Sequence, residues 1–197
     1  MALLLFIKNP RLGHVKTRLA RTLGDAEALR IYRFLLDKTR ETALRVDVER
    51  MLFYSEQIQH QDDWSPSQFD KFVQAEGDLG VRMCSAFETA FAKGANRAVI
   101  IGSDCPELDP DTIHAAFEAL NTHEVVLGPS ADGGYYLLGM RRLWPTLFEG
   151  IQWSTAAVLT QTLDKAEQLG LSVYSLQTLL DIDEEMDWYD YKFRTGN

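Results

Sequence analysis

Two acidic motifs lie far apart in the chain, and each follows a hydrophobic segment that is typical of a β-strand. Asp104 stands in GSDCP directly after the apolar run AVII, and Asp181 and Asp183 stand in DID after SVYSLQTLL. Because residues at the carboxyl ends of strands in an open α/β sheet meet in one crevice, we expect these carboxylates to converge. One or two carboxylates suffice for Mg²⁺, which otherwise keeps water or substrate phosphates. The motifs therefore predict a metal site, with Asp104 and Asp183 as ligands and Asp181 in reserve.

Both acids also have simpler explanations, which the local sequence leaves open. Asp104 is followed closely by Pro106, and aspartate is common in turns and as a cap. Asp183 precedes EEMDWYDY, so it is a candidate N-cap for a helix whose early acids favour the helix dipole. Taken singly, each aspartate fits a structural role as well as it fits the role of a metal ligand.

A cationic loop follows the first predicted strand and contains Lys8, Arg11, Lys16 and Arg18. Amides at a helix start and fixed cationic side chains both stabilise a phosphate group. The loop is not a P-loop, because Val15 occupies the position where that motif needs glycine beside its lysine. Phosphate binding by Lys16 and Arg18 is one interpretation, and solvated side chains on a surface turn are the other.

Three further segments have residue types suited to a ligand pocket. The stretch QAEGDLGVR at 74–82 would let a ring or a phosphate approach the backbone, although Asp78 could simply begin a helix. The sequence from Asp132 to Gly134 fits a tight hairpin turn. Trp153 and Ser154 fit either a pocket mouth or a helix cap with a half-buried indole.

Composition excludes several classes of partner. With 20 Lys and Arg against 29 Asp and Glu, the formal charge of −9 is unfavourable for nonspecific binding of nucleic acid or anionic lipid. The two cysteines, Cys84 and Cys105, do not predict a disulfide framework, and no apolar run approaches the ~20 residues of a membrane span. We therefore expect a cytoplasmic protein with no nucleic-acid or membrane partner. Its oligomeric state is not readable from the sequence.

The hydrophobic periodicity predicts strands that alternate with helices in the order β, α, β, β, α, β, α, β, β, α, β, α. The predicted strands are 2–7, 46–54, 69–74, 98–102, 125–128, 135–140 and 171–176, and the predicted helices are 25–45, 79–93, 110–121, 155–169 and a last one in EEMDWYDY. Such alternation indicates right-handed crossovers and helices on both faces of the sheet. The fold class is therefore α/β, a single-domain three-layer α/β/α architecture with a mixed, mainly parallel sheet. That domain should span residues 1–197.

The motifs together resemble a known family. FIKNPRLGHVKTRLA, QAEGDLGVRM, IIGSDCPELDP, LGPSADGGYYLLGM, IQWST and LLDIDEEMDW occur in the order and approximate spacing of the radical-SAM/selenodomain-associated transferase family. This family belongs to the glycosyltransferase-A, or nucleotide-diphospho-sugar transferase, superfamily and is similar to 2-phospho-lactate guanylyltransferase. The chain departs from the pattern at Leu12, where relatives often have proline, and at Glu184 and Glu185, which replace a Thr-Pro pair.

The resemblance implies a role for each matching residue. Mg²⁺ or Mn²⁺ would be held by Asp104 and Asp183, and the catalytic set would be Lys16, Asp104 and Asp132. The residues implied to bind the nucleotide are Lys8, Gly13, Lys16, Arg18, Gln74, Gly77, Asp78, Gly80 and Arg82. Those expected on the acceptor side are Asp132, Gly133, Gly134, Tyr135, Trp153 and Ser154.

The function implied is that of a magnesium-dependent transferase. It would bind a nucleoside triphosphate or a nucleotide sugar and pass a nucleotidyl or glycosyl group to a small acceptor, with no protein nucleophile required. The alternative is a nucleotide-binding regulatory protein of the same fold without turnover. The presence of both Asp104 and Asp183 speaks against that alternative, because a binder without turnover has no need for two metal carboxylates.

Overall fold

The computed structural model describes residues 1–196, which form one seven-stranded sheet flanked by helices. The strands are β1 (Ala2–Ile7), β2 (Glu49–Tyr54), β3 (Asp70–Val73), β4 (Ala98–Ile101), β5 (Val125–Pro129), β6 (Tyr135–Met140) and β7 (Val173–Ser175). The helices are α1 (Thr17–Leu23), α2 (Asp25–Leu44), α3 (Leu79–Ala92), α4 (Pro110–Ala119), α5 (Val158–Gln168) and α6 (Glu185–Thr195), and Pro145–Phe148 forms a short 3₁₀ turn.

The strand order is β3-β2-β1-β4-β6-β5-β7, and β6 is antiparallel to both of its neighbours while the other pairs are parallel. The central strands are apolar along their whole length because both faces are covered: every residue of β4 is buried, and β1 is buried except at Phe6. The predicted mixed, mainly parallel α/β sheet is therefore confirmed.

Two apolar layers fill the space between the sheet and its helices. Successive residues of β1 point to opposite faces, so Leu3 and Leu5 pack with α2 and α4 while Leu4 packs with α3 on the other side. A third cluster joins α1, α2 and α6 through Leu19, Ile31 and Trp188. This last cluster fixes the C-terminal segment against α1 and α2.

The reversal of β6 determines which loops share an edge of the sheet. Ile101 at the end of β4 pairs with Leu137 near the start of β6, and the Gly102 amide donates to the Tyr136 carbonyl at 3.4 Å. The turn before β6 therefore lies at the same edge as the carboxyl ends of β1, β4 and β5. This is the edge at which the sequence predicts the site.

The structure corrects the sequence prediction in two regions. Residues 17–23, expected to be loop, form α1, a helix of seven residues in which only Leu19 is buried and which is too short to give a clear apolar period. Helix α5 begins at Val158 rather than 155, just after Ser154 takes a left-handed conformation with φ 63°. Asp109 caps α4 as expected, since its Oδ1 accepts from the Thr112 amide at 2.7 Å.

None of the helices formed by residues 1–196 has the length and apolar composition that crossing a bilayer requires.

Candidate active site

A cleft of about 610 Å³ opens at this edge of the sheet. It is bordered by the loops that follow β1 and β4, by the turn between β5 and β6, by the segment before α5 and by residues 181 and 183. Its floor is the end of the parallel sheet, and its walls carry both cationic and acidic side chains.

Lys16 is the centre of a charged cluster that borders the cleft. Its ammonium donates to Ile182 O at 2.6 Å and contacts Asp104 Oδ1 at 2.9 Å and Asp183 Oδ1 at 3.0 Å, although its side chain is only 5% exposed. The Lys16 backbone is left-handed, with φ 47° and ψ 47°, directly before α1, a conformation that is uncommon outside glycine and worth a functional explanation. Burial opposes the charged form, but the two carboxylates outweigh it and raise the pKa of Lys16 above its ordinary value.

Asp104 and Asp183 meet at this ammonium, as the sequence predicts. Their loops are joined by a hydrogen bond from the Ile182 amide to the Asp104 carbonyl at 2.8 Å. Burial alone would raise the pKa of Asp183, but Lys16, at 3.0 Å, and Arg18, at 3.6 Å, lower it below the usual value. The two remote motifs therefore form one charged cluster in the folded chain.

The capping explanation for Asp183 is wrong. Glu184 is the N-cap of α6, and the carboxylate of Asp187 accepts from the amides of Glu184 at 2.7 Å and Asp183 at 3.0 Å. Because Glu184 occupies the N-cap position, the carboxylate of Asp183 does not cap the helix and contacts Lys16 instead.

Asp181 borders the same cluster and also lines the cleft. Burial is the main reason why its pKa rises to about 7, and the negative charges of Asp104 and Asp132 add to the effect while Lys16 opposes it. The carboxylates around Asp181 therefore carry more negative charge than the Lys16 ammonium alone can neutralise.

The donor set fits a hard divalent cation. Asp104 and Asp183 present carboxylate oxygens to one point, which are the ligands that Mg²⁺ and Mn²⁺ prefer. Among residues 1–196, no three acidic, thiol or imidazole side chains lie close enough to hold an ion by themselves. The arrangement therefore suits an ion whose coordination is completed by phosphate oxygens and water rather than by a closed protein cage.

One wall of the cleft carries cations. Lys8, Arg18, Gln74 and Arg82 line it. The Gln74 side-chain amide donates to the carbonyls of Ile7 at 3.2 Å and Phe53 at 3.1 Å, which fixes it across the ends of β1 and β2. Arg82 in turn donates to Gln74 Oε1 at 3.4 Å. Gln74 thus positions Arg82 and keeps little hydrogen-bonding capacity for a ligand.

Four of the expected nucleotide-binding residues do not line the cleft. Asp78 caps α3 by accepting from the Val81 amide at 2.9 Å. Gly13 and Gly77 supply left-handed turns with φ of 75° and 127°, and Gly80 lies against the Trp153 ring. These residues shape the surrounding loops, and the expectation that they face the nucleotide is corrected accordingly. Arg11 does not line the cleft either: its Nη1 forms an ion pair with Glu56 Oε2 at 2.5 Å.

The opposite wall contains the expected acceptor-side residues, except one. Asp132, Gly134, Tyr135, Trp153 and Ser154 line the cleft. Asp132 Oδ1 accepts from the Gly134 amide at 2.9 Å and from the Ser130 hydroxyl, which holds the carboxylate in place.

Gly133 lies behind that wall. A Cβ atom there would be 2.3 Å from the backbone oxygen of Ala156, and its φ of 89° also favours glycine. Its carbonyl accepts from the Leu159 amide at 2.9 Å, which joins the turn to the start of α5. Gly133 therefore determines how the two segments of the wall fit together.

The sequence gives no signal for Tyr32, which lies at the base of the cleft. Its hydroxyl accepts from the Lys8 amide at 2.8 Å, donates to the Lys8 carbonyl at 3.1 Å and is 3.4 Å from the Ser103 hydroxyl. In the sequence Tyr32 falls on the apolar face of α2, so the contacts of its hydroxyl group can be seen only in the structure. Cys105 also borders the cleft, but burial raises the pKa of its thiol to about 12 and leaves it protonated.

Solved structures share this fold over nearly the whole chain. A protein of Desulfovibrio desulfuricans G20, provisionally described as a nucleotide-diphospho-sugar transferase, is 30% identical with a TM-score of 0.92, and the match covers 100% of this chain and 87% of that one. The inositol-1-phosphate CTP transferase of T. maritima is 14% identical with a TM-score of 0.59, over 94% of this chain and 90% of that one. A manganese complex of Rv0371c from Mycobacterium tuberculosis H37Rv is 15% identical with a TM-score of 0.54, over 96% of each chain.

The fold, the cleft and these likenesses define the class: this is a transferase-like protein of the glycosyltransferase-A, or nucleotide-diphospho-sugar transferase, superfamily, as the resemblance implies. A family model described as "Uncharacterized protein conserved in bacteria (DUF2064)" matches residues 38–155. The chain belongs to the DUF2064 family. None of the curated proteins compared with it gives a significant match.

Proposed function

We propose that the protein is a Mg²⁺- or Mn²⁺-dependent transferase that takes a nucleotide donor and passes a group to a small acceptor. The observation that carries this proposal is the convergence of Lys16, Asp104 and Asp183 at the end of the parallel sheet, in a cleft with cations on one wall. Such an arrangement suits a polyphosphate that brings its own divalent ion.

On this proposal the donor phosphates lie between the cationic wall and the acidic pair. Asp104 and Asp183 would hold the ion, whose charge would offset the charge that develops on the departing phosphate group. Lys8, Arg18 and Arg82 would face the phosphates, because each lines the cleft. They would stabilise the leaving group electrostatically without forming any covalent bond to it.

The acceptor would bind at the opposite wall. Asp132 is fixed by two hydrogen bonds at the cleft surface, where its carboxylate can accept from an acceptor hydroxyl and orient it. Trp153 offers an apolar face and Ser154 a hydroxyl in the same wall. Orienting the acceptor towards the donor is a large part of catalysis when the protein supplies no nucleophile.

Nucleotidyl transfer is the version that the cleft supports best. The cations of the first loop add positive charge where pyrophosphate would depart from a nucleoside triphosphate, and a protein of similar fold is a CTP transferase. Glycosyl transfer from a nucleotide sugar is the second candidate, because the Desulfovibrio relative is described as a nucleotide-diphospho-sugar transferase. The two differ in whether the acceptor attacks the α-phosphorus or the anomeric carbon.

Thermal unfolding with a set of donors tests the proposal. The melting temperature is measured with ATP, GTP, CTP, UTP, UDP-glucose and GDP-mannose, each with Mg²⁺ and with EDTA. A donor at a hundred times its dissociation constant should stabilise the native state by about 2.7 kcal/mol, and that stabilisation should require the metal. Equal stabilisation in EDTA would favour the nucleotide-binding regulatory protein, and no stabilisation by any donor would contradict both. A triphosphate that binds identifies nucleotidyl transfer if an acceptor then releases pyrophosphate.

A further inference from the structure

We propose that the Lys16 ammonium is the resident cation of the Asp104–Asp183 pair, and that it excludes a free divalent metal until a polyphosphate draws it away. The site would then accept the metal together with the nucleotide, not the metal first. This inference rests on the proposed function, because it concerns the same carboxylates.

The contacts of the ammonium leave it no unused donor. A lysine ammonium has three N–H groups, and Lys16 has three oxygen partners: Ile182 O at 2.6 Å, Asp104 Oδ1 at 2.9 Å and Asp183 Oδ1 at 3.0 Å. Its side chain is 5% exposed, so water screens these contacts poorly. Each candidate metal ligand therefore already gives one oxygen to a well-satisfied cation.

A free divalent ion held by both Asp104 and Asp183 would have to share these carboxylates with this cation. The second oxygen of Asp183 also faces a cation, since Arg18 Nη1 lies 3.6 Å from Oδ2. With Lys16 and Arg18 in place, an added ion with two positive charges would meet repulsion at short range in a poorly screened site. Metal binding without a further anion is therefore disfavoured by the chain itself.

A polyphosphate changes this balance because it offers the ammonium other acceptors. The cleft that Lys16 borders also contains Lys8, Arg18 and Arg82, so phosphate groups bound among these cations would lie within the same cavity. The lysine side chain is a flexible four-carbon stem with a point charge at its end. Its transfer from the carboxylates to phosphate oxygens would free Asp104 and Asp183 for the ion, which couples metal binding to nucleotide binding with positive cooperativity.

Binding of Mn²⁺ alone tests the proposal without any nucleotide. Free Mn²⁺ is measured by electron paramagnetic resonance during titration of wild type, Lys16→Met and Lys8→Met. We expect Lys16→Met to bind Mn²⁺ on the order of tenfold or more tightly than wild type, within the range usual for coupling between ligands. Lys8→Met is the matched control, because it also removes one positive charge from the cleft but has no contact with either carboxylate oxygen in the described ion pairs. It should tighten Mn²⁺ binding much less.

Three outcomes decide the matter. An equal affinity of Lys16→Met and wild type for Mn²⁺ would overturn the proposal, as would an equal gain in Lys8→Met. The gain should also vanish when Asp104→Asn is added to Lys16→Met, which locates the bound ion. If Lys16→Met does not fold, Lys16→Gln, which keeps hydrogen-bond donors without the charge, takes its place in the same titration.

The Mn²⁺ titration and the thermal unfolding test can fail independently of each other. A gain in Mn²⁺ affinity together with no nucleotide binding in the thermal test would support the resident cation and contradict the transferase. Metal-dependent nucleotide binding together with no gain in Lys16→Met would support the transferase and overturn the resident cation.

Discussion

Gly80 lies directly against the indole ring of Trp153: a Cβ atom placed on Gly80 would be 2.7 Å from ring atoms Cζ2 and Nε1. Gly80 belongs to the first turn of α3, and Trp153 lines the cleft from the segment before α5. One wall of the cleft thus depends on the absence of a side chain in the helix that faces it.

We expect Gly80→Ala to displace Trp153 and to destabilise the protein. Alanine in a helix gains up to about 1 kcal/mol over glycine, but overpacking typically costs about 1–3 kcal/mol, so the free energy of unfolding should fall. Urea denaturation measures the stability change. In a Trp153→Ala background the same substitution should be neutral or stabilising, and a loss of equal size in both backgrounds would contradict the contact.

Asp104→Asn should keep the fold and remove the metal dependence of ligand binding. The Asp104 side chain is 44% exposed, and its loss leaves Lys16 with Asp183 and the Ile182 carbonyl, so the stability change should stay within about 1 kcal/mol. The readout is the Mg²⁺-dependent part of the thermal shift with the best donor. Asp111→Asn, an exposed position in the first turn of α4, is the matched control and should retain that part. An unchanged metal dependence in Asp104→Asn would remove Asp104 from the site.

The stability of the metal-free protein should fall as the pH rises through the acidic range. The pKa of Asp181 is raised from 3.8 to about 7, so the folded state keeps a proton that the unfolded state has lost. The free energy of unfolding should therefore decline between about pH 4 and pH 7, by at most about 1.4 kcal/mol per pH unit from this group.

Asp181→Asn should flatten this decline, as measured by denaturation in EDTA at a series of pH values. The other shifted groups of the cluster act outside the window. The lowered pKa of Asp183 contributes stability that is lost only as the pH falls below about 4, and the raised pKa of Lys16 contributes stability that is lost only above about pH 10.5. A slope in Asp181→Asn that matches that of wild type would show that Asp181 is not the responsible group.

Tyr32→Phe should destabilise the protein and weaken phosphate binding together. The substitution removes the hydroxyl that bonds both the amide and the carbonyl of Lys8, and leaving a backbone amide unsatisfied costs about 1–3 kcal/mol. The free energy of unfolding and the nucleotide affinity are both measured. Tyr174→Phe is the control and should change neither, because Tyr174 is a 42% exposed residue on the edge strand β7. A Tyr32→Phe variant with wild-type stability would contradict the anchoring role.

The strands and the acidic motifs were the features most accessible to sequence reasoning. The run AVII, followed by Asp104 and Pro106, marks both a buried strand and its end, and β4 occupies Ala98–Ile101. The hairpin of β5 and β6 followed equally from the turn residues between them. In these places the local pattern and the fold agree because a strand that is buried on both faces of a sheet has a continuous run of apolar residues.

The arrangement of Lys16 was not accessible in the same way. Its ammonium meets Asp183 across 167 positions of the chain, and its left-handed backbone has no local signal at a lysine. Helix α1 was missed for a related reason, since it is short and mostly exposed. The positions of Asp104 and Asp183 could be predicted as neighbours, whereas the cation that joins them could be seen only in three dimensions.

The large sequence separation between Lys16 and Asp183 also has a consequence for biosynthesis. Lys16 emerges from the ribosome early, but Ile182 and Asp183, which supply two of its three oxygen partners, are made 166 and 167 residues later. A nascent chain that ends before them would lack two of the three oxygen partners of Lys16. Contacts so distant in sequence require a costly loop closure before they form, and the Lys16 site needs residues 182 and 183, so the cleft should become competent for its ligand only after the segment that carries them has left the exit tunnel and docked.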